Sequence, residues 1–395
     1  MSLHVLYLVQ LPLTARDRHR YGMDLLLARG DRVTVLDLGP LMVPDIPVAR
    51  DHYRDMDDLT IMVANRWSAL KEQILPLAGK VQMAVCTIAG SHLSARAWPV
   101  LRLLRRAGIP YLLLQNGAIP IAPPGATAAR LVWRRWLDQL GRVRVLNSLI
   151  GRLPVSVLGI DPAALVVRGG RRSVQGGQMV GPETEFIDGH SNDYDHLLET
   201  RAQPALPSRP VAVFLDQFLP FHPDVIQDKA KPIAPEPYYR GLCALFARIE
   251  ANLGLEVEIA AHPRSDYHRR GEDWFQGRRL VYGDTAALVR SSSLVIAHYS
   301  TSISFAVAFA KPVLLVSSPA ILGSLPIRER MTRGYAAALA QPVLDLDAAG
   351  SELDQALTVD RAVYDRFVDD YLRAPGSPDL PLWEIIAKRL DAKAP

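Results

Sequence analysis

Cysteine is nearly missing from this sequence. There are two in 395 residues, Cys86 and Cys243, each inside an apolar pattern. That count argues against a disulfide framework and for a reducing cytosol. Long apolar runs are missing too: no uninterrupted stretch approaches the roughly 18–20 residues that span a bilayer. The first run, Leu3–Val9, has no basic segment before it and is broken by Gln10 and Pro12, so it reads as a buried strand rather than a signal peptide. Nor does one sign of charge dominate. Forty-five basic residues against 41 acidic leave +4, which suits an anionic small substrate or a membrane surface and argues against nucleic-acid binding. GxGxxG, GxxxxGK[ST], CxxC and HExxH do not occur. Dinucleotide, P-loop and metal chemistry are therefore not expected, and no cofactor is.

What is present is a rhythm of apolar runs and amphipathic segments. Leu3–Val9, Arg32–Leu38, Met83–Ile88 and Tyr111–Leu114 read as strands; Thr14–Arg29 and Ser94–Ala107 read as helices ending at Gly30 and Gly108. The proline-rich RAQPALPSRP (201–210) reads as a linker. The rhythm then restarts with strands Val211–Leu215, Glu256–Ala261, Leu280–Tyr282, Leu294–Ala297 and Val313–Val316. Helices are expected over Pro237–Leu253, Asp284–Ser291 and Ser302–Phe309, and a last one over Pro381–Leu390. The expected fold is α/β, two Rossmann-like doubly wound domains facing a cleft. Residues 1–205 are expected to form an acceptor-side domain and 206–375 a nucleotide-sugar donor domain, with a C-terminal helix in 376–395 that crosses back to the first.

Ligands of open α/β sheets sit beyond the carboxyl ends of the strands. Three such ends in the second half are polar: Asp216-Gln217, His262-Pro263-Arg264, and His298-Tyr299-Ser300-Thr301-Ser302. Ser300, Thr301 and Ser302 stand where a helix starts, and backbone N–H groups there favour an anion such as phosphate. His262 can donate to a phosphate oxygen or a leaving group, Arg264 can clamp phosphate, and His298 is a further ligand candidate. In the first half, Asn116 and Gly117 follow the fourth strand. For a general base the candidates are Asp216, Asp17, His92 and Asp37, with Asp216 and Asp17 foremost. Phe221-His222-Pro223-Asp224 repeats a His-Pro pair. Gly169-Gly170 and Gly176-Gly177 lead into no helical pattern and do not read as a phosphate loop. Arg130–Leu146 mixes arginines with Trp133 and Trp136 at helical spacing, a face that can lie on anionic lipid at the inner side of the plasma membrane.

The stretch from AAHPRSDY to GDTAALVRSSSLVIAHYSTSISFAVAFAKPVLLV, about residues 256–318, resembles the donor half of GT-B glycosyltransferases. It is most similar to the bacterial sialyltransferase and Kdo-transferase branches, in which a His-Pro motif and a Ser/Thr pair hold the phosphate of a CMP-sugar. The resemblance implies that His262 and Ser300–Ser302 meet the donor nucleotide. It also implies an inverting transfer of an acidic sugar from CMP onto a surface glycan or lipid-linked acceptor. Phe305 stands where many UDP-sugar members carry a ribose-binding glutamate, which weighs against UDP. The acidic pair that supplies the base in several sialyltransferases has Gln115-Asn116-Gly117 in its place. Two alternatives are a nucleotide-sugar 2-epimerase of the same fold and a non-catalytic, glycosyltransferase-like binding subunit.

Overall fold

The computed structural model describes residues 2–44, 52–53, 55–90, 92–123, 146–147, 149–173, 176–204, 207–222, 232–346, 353 and 357–393. It divides into two compact units. One takes its residues from Met1–Ala118, Leu140–Asn192 and Arg373–Pro395, the other from Ile119–Gln139 and Asp193–Leu372.

The first unit is built on seven parallel strands: β1 (His4–Val9), β2 (Arg32–Asp37), β3 (Thr60–Val63), β4 (Met83–Cys86), β5 (Tyr111–Gln115), β6 (Leu165–Arg168) and β7 (Glu185–Asp188). Their order is β3-β2-β1-β4-β5-β6-β7. The strands are apolar on both faces because both faces are covered. In β1, Leu6 and Leu8 join a core with Leu36, Ala84 and Leu113, while Val5, Tyr7 and Val9 join a second core with Val33, Val35 and Leu112. Both cysteines are buried free thiols.

The second unit holds six parallel strands: β8 (Val211–Leu215), β9 (Glu256–Ala260), β10 (Leu280–Val281), β11 (Leu294–Ala297), β12 (Val313–Ser317) and β13 (Val343–Asp345), in the order β10-β9-β8-β11-β12-β13. In each sheet the winding reverses beside the first strand, between β1 and β4 and between β8 and β11. Those two reversal points are where a doubly wound sheet opens a crevice.

Two differences from the sequence expectation have physical causes. The helix expected over Thr14–Arg29 is two, Ala15–Arg20 and Met23–Ala28. Gly22 parts them at φ 61°, and a Cβ there would stand 2.0 Å from the Trp383 ring, whose Nε1 donates to the Arg20 carbonyl. The C-terminal helix Leu382–Asp391 is thereby keyed into the first unit's core. Strands β3, β6, β7 and β13 and the helix Pro326–Leu339 are additional to that expectation; β7 and β13 are short edge strands with little continuous apolar run.

Candidate functional site

A cavity of about 230 Å³ opens at the β8/β11 reversal of the second unit, lined by Ile119, Asp216, Gln217, His222, His262, Tyr299, Ser300, Thr301, Arg328, Met331 and Tyr335. Three strand ends supply most of it. β8 exits into Asp216-Gln217, and the Gln217 Oε1 accepts the Tyr299 N–H at 3.3 Å, joining this exit to that of β11. β9 exits into His262, whose ring meets His222 edge-on at 4.8 Å. The Arg264 backbone N–H donates to His262 Nδ1 at 3.2 Å. Nδ1 is thus an acceptor, and the neutral ring carries its proton on Nε2.

Asp216 is only 5% exposed. Its Oδ1 accepts the Phe218 N–H at 2.9 Å; its Oδ2 accepts the His262 N–H at 3.3 Å and the Tyr267 hydroxyl at 3.0 Å. Burial pushes this carboxyl up to about 6, and the three donors hold it from going higher. The clamp fixes Phe218 in a left-handed conformation, φ 53°.

Ser300 and Thr301 line the cavity, but Ser302 does not. Ser302 occupies the position before the helix Ile303–Ala308 without a capping bond from its hydroxyl, and its N–H donates to the Ser300 Oγ at 3.2 Å. The N–H groups of Ile303, Ser304 and Phe305 donate to the carbonyls of Ser300, Thr301 and Ser302. This tight turn uses the backbone donors that the sequence assigned to a phosphate and leaves the two hydroxyls as the polar lining.

His298 does not reach the cavity. It is fully buried: Nδ1–H donates to the Val316 carbonyl at 2.7 Å and Nε2 accepts the Tyr238 hydroxyl at 2.9 Å. Burial pushes it down to about 4, so it is neutral. Strand alternation explains the placement: His298 has the parity of Ile296, which lies in the same core as Phe214, and the His298 and Phe214 rings meet at 5.7 Å. Arg264 is exposed on the turn and lines no part of the cavity.

The cation that does line it is Arg328, 5.5 Å over the Tyr299 ring. Arg328, Met331 and Tyr335 fall at i, i+3 and i+7 of the helix Pro326–Leu339, a spacing that places them on one face. Pro120–Ala122 is latched to that helix: the Arg330 Nε–H donates to the Ala122 carbonyl at 2.8 Å, the Ala122 N–H donates to the Arg330 carbonyl at 3.0 Å, and Gly334 lets the Pro120 carbonyl come within 2.3 Å of where a Cβ would be. Ile119, which lines the cavity, begins this segment.

A second cavity, about 450 Å³, lies at the β1/β4 reversal of the first unit. Gln10, Arg20, Thr87, Gln115, Asn116, Ser173 and Asn192 are its polar lining, and Gly117 lines it too. The Asn116 amide donates to the His190 carbonyl at 3.0 Å, and Gly169 admits the Asn116 carbonyl at a distance no Cβ would tolerate. The Gly169-Gly170 pair thus serves close packing, and their N–H groups donate to the Ser173 hydroxyl. Asp17 is a capping residue: its carboxylate accepts from the Thr14 N–H at 3.2 Å and Oγ1 at 2.7 Å. Arg20 and Tyr21, at the end of the same short helix, line this cavity, and Asp17 does not. Asp37 is buried and tied to Gly39 and Tyr53, and His92 is exposed. Pro223-Asp224 and Arg130–Val145 lie outside the described residues, as do parts of the loops 41–58 and 119–128. Among the described residues no cluster of three or more His, Cys, Asp or Glu could hold a metal ion, and no helix is long and apolar enough to cross a membrane.

No family model matches the chain, and no curated protein matches it. Solved structures do. CalG4, the calicheamicin glycosyltransferase, is 15% identical with a TM-score of 0.52, and the alignment covers 100% of each chain. The glycosyltransferase of kitacinnamycin is 14% identical with a TM-score of 0.51, covering 98% of this chain and 99% of the other. The fold is GT-B. At these identities the likeness concerns the fold alone, and the chemistry has to be argued from the cavities.

Proposed function

We propose that the chain is an inverting glycosyltransferase that binds a nucleotide-sugar in the second unit and its acceptor in the first. The observation that carries the reading is the lining of the second unit's cavity. At a sheet reversal it gathers a guanidinium (Arg328), a ring N–H (His262), two hydroxyls (Ser300 and Thr301) and an amide (Gln217), while its one carboxylate, Asp216, is held by three internal donors. Such a lining suits a phosphodiester, whose charge meets donors at every side. Phe305, buried in the helix after the hydroxyls, offers no carboxylate to a ribose, which favours a CMP-sugar over a UDP-sugar.

In this reading an acceptor hydroxyl attacks the anomeric carbon. The bond from that carbon to the phosphate oxygen breaks, and its electron pair leaves on CMP, where His262 Nε2–H and the two hydroxyls meet the developing charge. The acceptor's proton passes to Asp17, a partly exposed carboxylate of the first unit that accepts from the Thr14 cap at its own helix start. An acidic sugar and a surface glycan or glycolipid acceptor complete the proposal. Leu146, Leu149, Leu153 and Val157 are 42–69% exposed just after the basic, Trp-bearing stretch, which supports peripheral contact with a membrane that carries a lipid-linked acceptor.

The test is turnover. CMP-activated acidic sugars are incubated with oligosaccharide and glycolipid acceptors, and CMP release and product anomer are followed. The reading expects an inverted glycoside. It also expects Asp17→Asn to lower turnover by about 100-fold or more while leaving CMP affinity unchanged. CMP release that is indifferent to every acceptor, or an Asp17→Asn enzyme of full activity, contradicts it. Interconversion of a UDP-sugar without acceptor would instead identify an epimerase.

A further inference from the structure

We propose that Tyr267 is a positioning residue for His262: its hydroxyl and the Asp216 carboxylate close the loop 262–267 onto the end of β8, and this closure holds the His262 ring with its proton on Nε2, facing the cavity. The role of His262 toward a phosphate rests on the nucleotide-sugar reading above; the geometry does not.

The loop is a closed circuit of hydrogen bonds. At its start, the His262 N–H donates to Asp216 Oδ2 at 3.3 Å. Inside it, the His262 carbonyl accepts the Ser265 N–H at 2.8 Å and the Ser265 hydroxyl at 2.7 Å, while the Arg264 N–H reaches His262 Nδ1 at 3.2 Å. At its end, the Tyr267 hydroxyl returns to the same Oδ2 at 3.0 Å. One carboxylate oxygen therefore grips both ends of a six-residue turn. The contact that selects the tautomer, Arg264 N–H to Nδ1, exists only while the turn is held in this shape.

The direction of the hydroxyl chain follows from this. Tyr267 spends its proton on Asp216, so at 2.9 Å its oxygen accepts the proton of the Tyr239 hydroxyl. The order is Tyr239 to Tyr267 to Asp216, buried throughout. A buried carboxylate that loses one of its donors becomes more costly to keep charged, and its remaining contacts rearrange. The Tyr267 ring is held separately by packing, against Phe218 and Phe275 at 5.1 Å each. Tyr267→Phe therefore removes the hydroxyl while the ring stays wedged.

This makes Asp216 a group that acts through the His262 backbone, not on the substrate. Its oxygens are spent on Phe218, His262 and Tyr267, and the same clamp sets Phe218 and the chain leading to His222.

The experiment uses the full chain labelled with ¹⁵N-histidine and free of ligand, with the His262 signals assigned by their loss in His262→Gln. Long-range proton–nitrogen spectra report which ring nitrogen carries the proton. The wild type is expected to show a single Nε2–H form. Tyr267→Phe is expected to give a mixture of tautomers, with Tyr239→Phe changing the spectrum less, and to lower CMP affinity by about fivefold. Wild-type nitrogen shifts in Tyr267→Phe overturn the proposal. If Tyr267→Phe does not fold, Asp216→Ala carries the same test: it leaves no oxygen to accept the His262 N–H or the Tyr267 hydroxyl, and unchanged His262 shifts overturn the proposal equally. The spectra need no nucleotide, so a wild type that fails to bind CMP sinks the functional reading and leaves the positioning result to stand or fall by itself.

Discussion

Two buried ionisable groups in the second unit pull its stability in opposite directions with pH. His298, pushed by burial from 6.5 to about 4, stays neutral in the folded state, while the unfolded chain takes up a proton as pH falls below 6.5. It therefore disfavours folding progressively between about pH 6.5 and 4. Asp216, raised from 3.8 to about 6, binds its proton more tightly when folded, so its contribution is fully present below 3.8 and is lost as pH rises through 6. Each shift corresponds to about 3 kcal/mol, and over the shared window the two offset one another. Urea unfolding of the wild type is thus expected to show a shallow acid limb between pH 6.5 and 4. Asp216→Asn leaves the histidine alone, and its second unit should lose about 3 kcal/mol over that range. A flat profile in the variant would mean that His298 is not neutral in the fold. Neither shift was legible in the sequence, where Asp216 and His298 are simply polar residues at strand ends.

At the scale of elements, the helix Pro326–Leu339 carries both a wall of the cavity and the seat of Pro120–Ala122. Gly334 is the point of closest approach. Alanine there gains about 1 kcal/mol of helix propensity, but its Cβ would meet the Pro120 carbonyl, backbone that cannot swing aside. Gly334→Ala is expected to lower stability by about 1–3 kcal/mol and to weaken nucleotide binding by moving Ile119, measured by thermal unfolding and calorimetry on the same sample. A more stable variant with unaltered binding would show that the segment is not seated as described. This helix also marks the limit of what the sequence made legible. Strand-end reasoning found Asp216, Gln217, His262, Ser300 and Thr301, because an apolar run followed by polar residues is visible in one dimension. It could not tell that His298, by parity, turns into the core, or that Arg264 is exposed and lines no part of the cavity. Arg328, Met331 and Tyr335 come from a helix flank, where only their i, i+3, i+7 spacing could have signalled a common face. The edge strands β7 and β13 went unread because half-exposed strands lack the continuous apolar run of β1 or β12.

At the scale of the whole molecule, the two sheets each have their own cores and each present a polar cavity at the reversal of strand order. The duplicated architecture was readable from the alternation of strands and helices. The chemistry of the two cavities was not, because it depends on which side chains the turns aim inward. The proposed contact with a membrane surface is tested at this scale. Binding to phosphatidylglycerol vesicles is expected to exceed binding to phosphatidylcholine vesicles, to weaken with salt, and to fall in Leu149→Ser/Val157→Ser; equal binding to both vesicle types would contradict it. The central claim is that the second unit's cavity holds a nucleotide through His262. Titration calorimetry of CMP, UDP and GDP against the wild type and His262→Ala tests it most directly. CMP is expected to bind in preference to UDP and GDP, and His262→Ala to lose about tenfold or more of that affinity, the loss of one charge-assisted hydrogen bond. A preference for UDP would contradict the CMP assignment, and CMP binding untouched by His262→Ala would contradict the site itself.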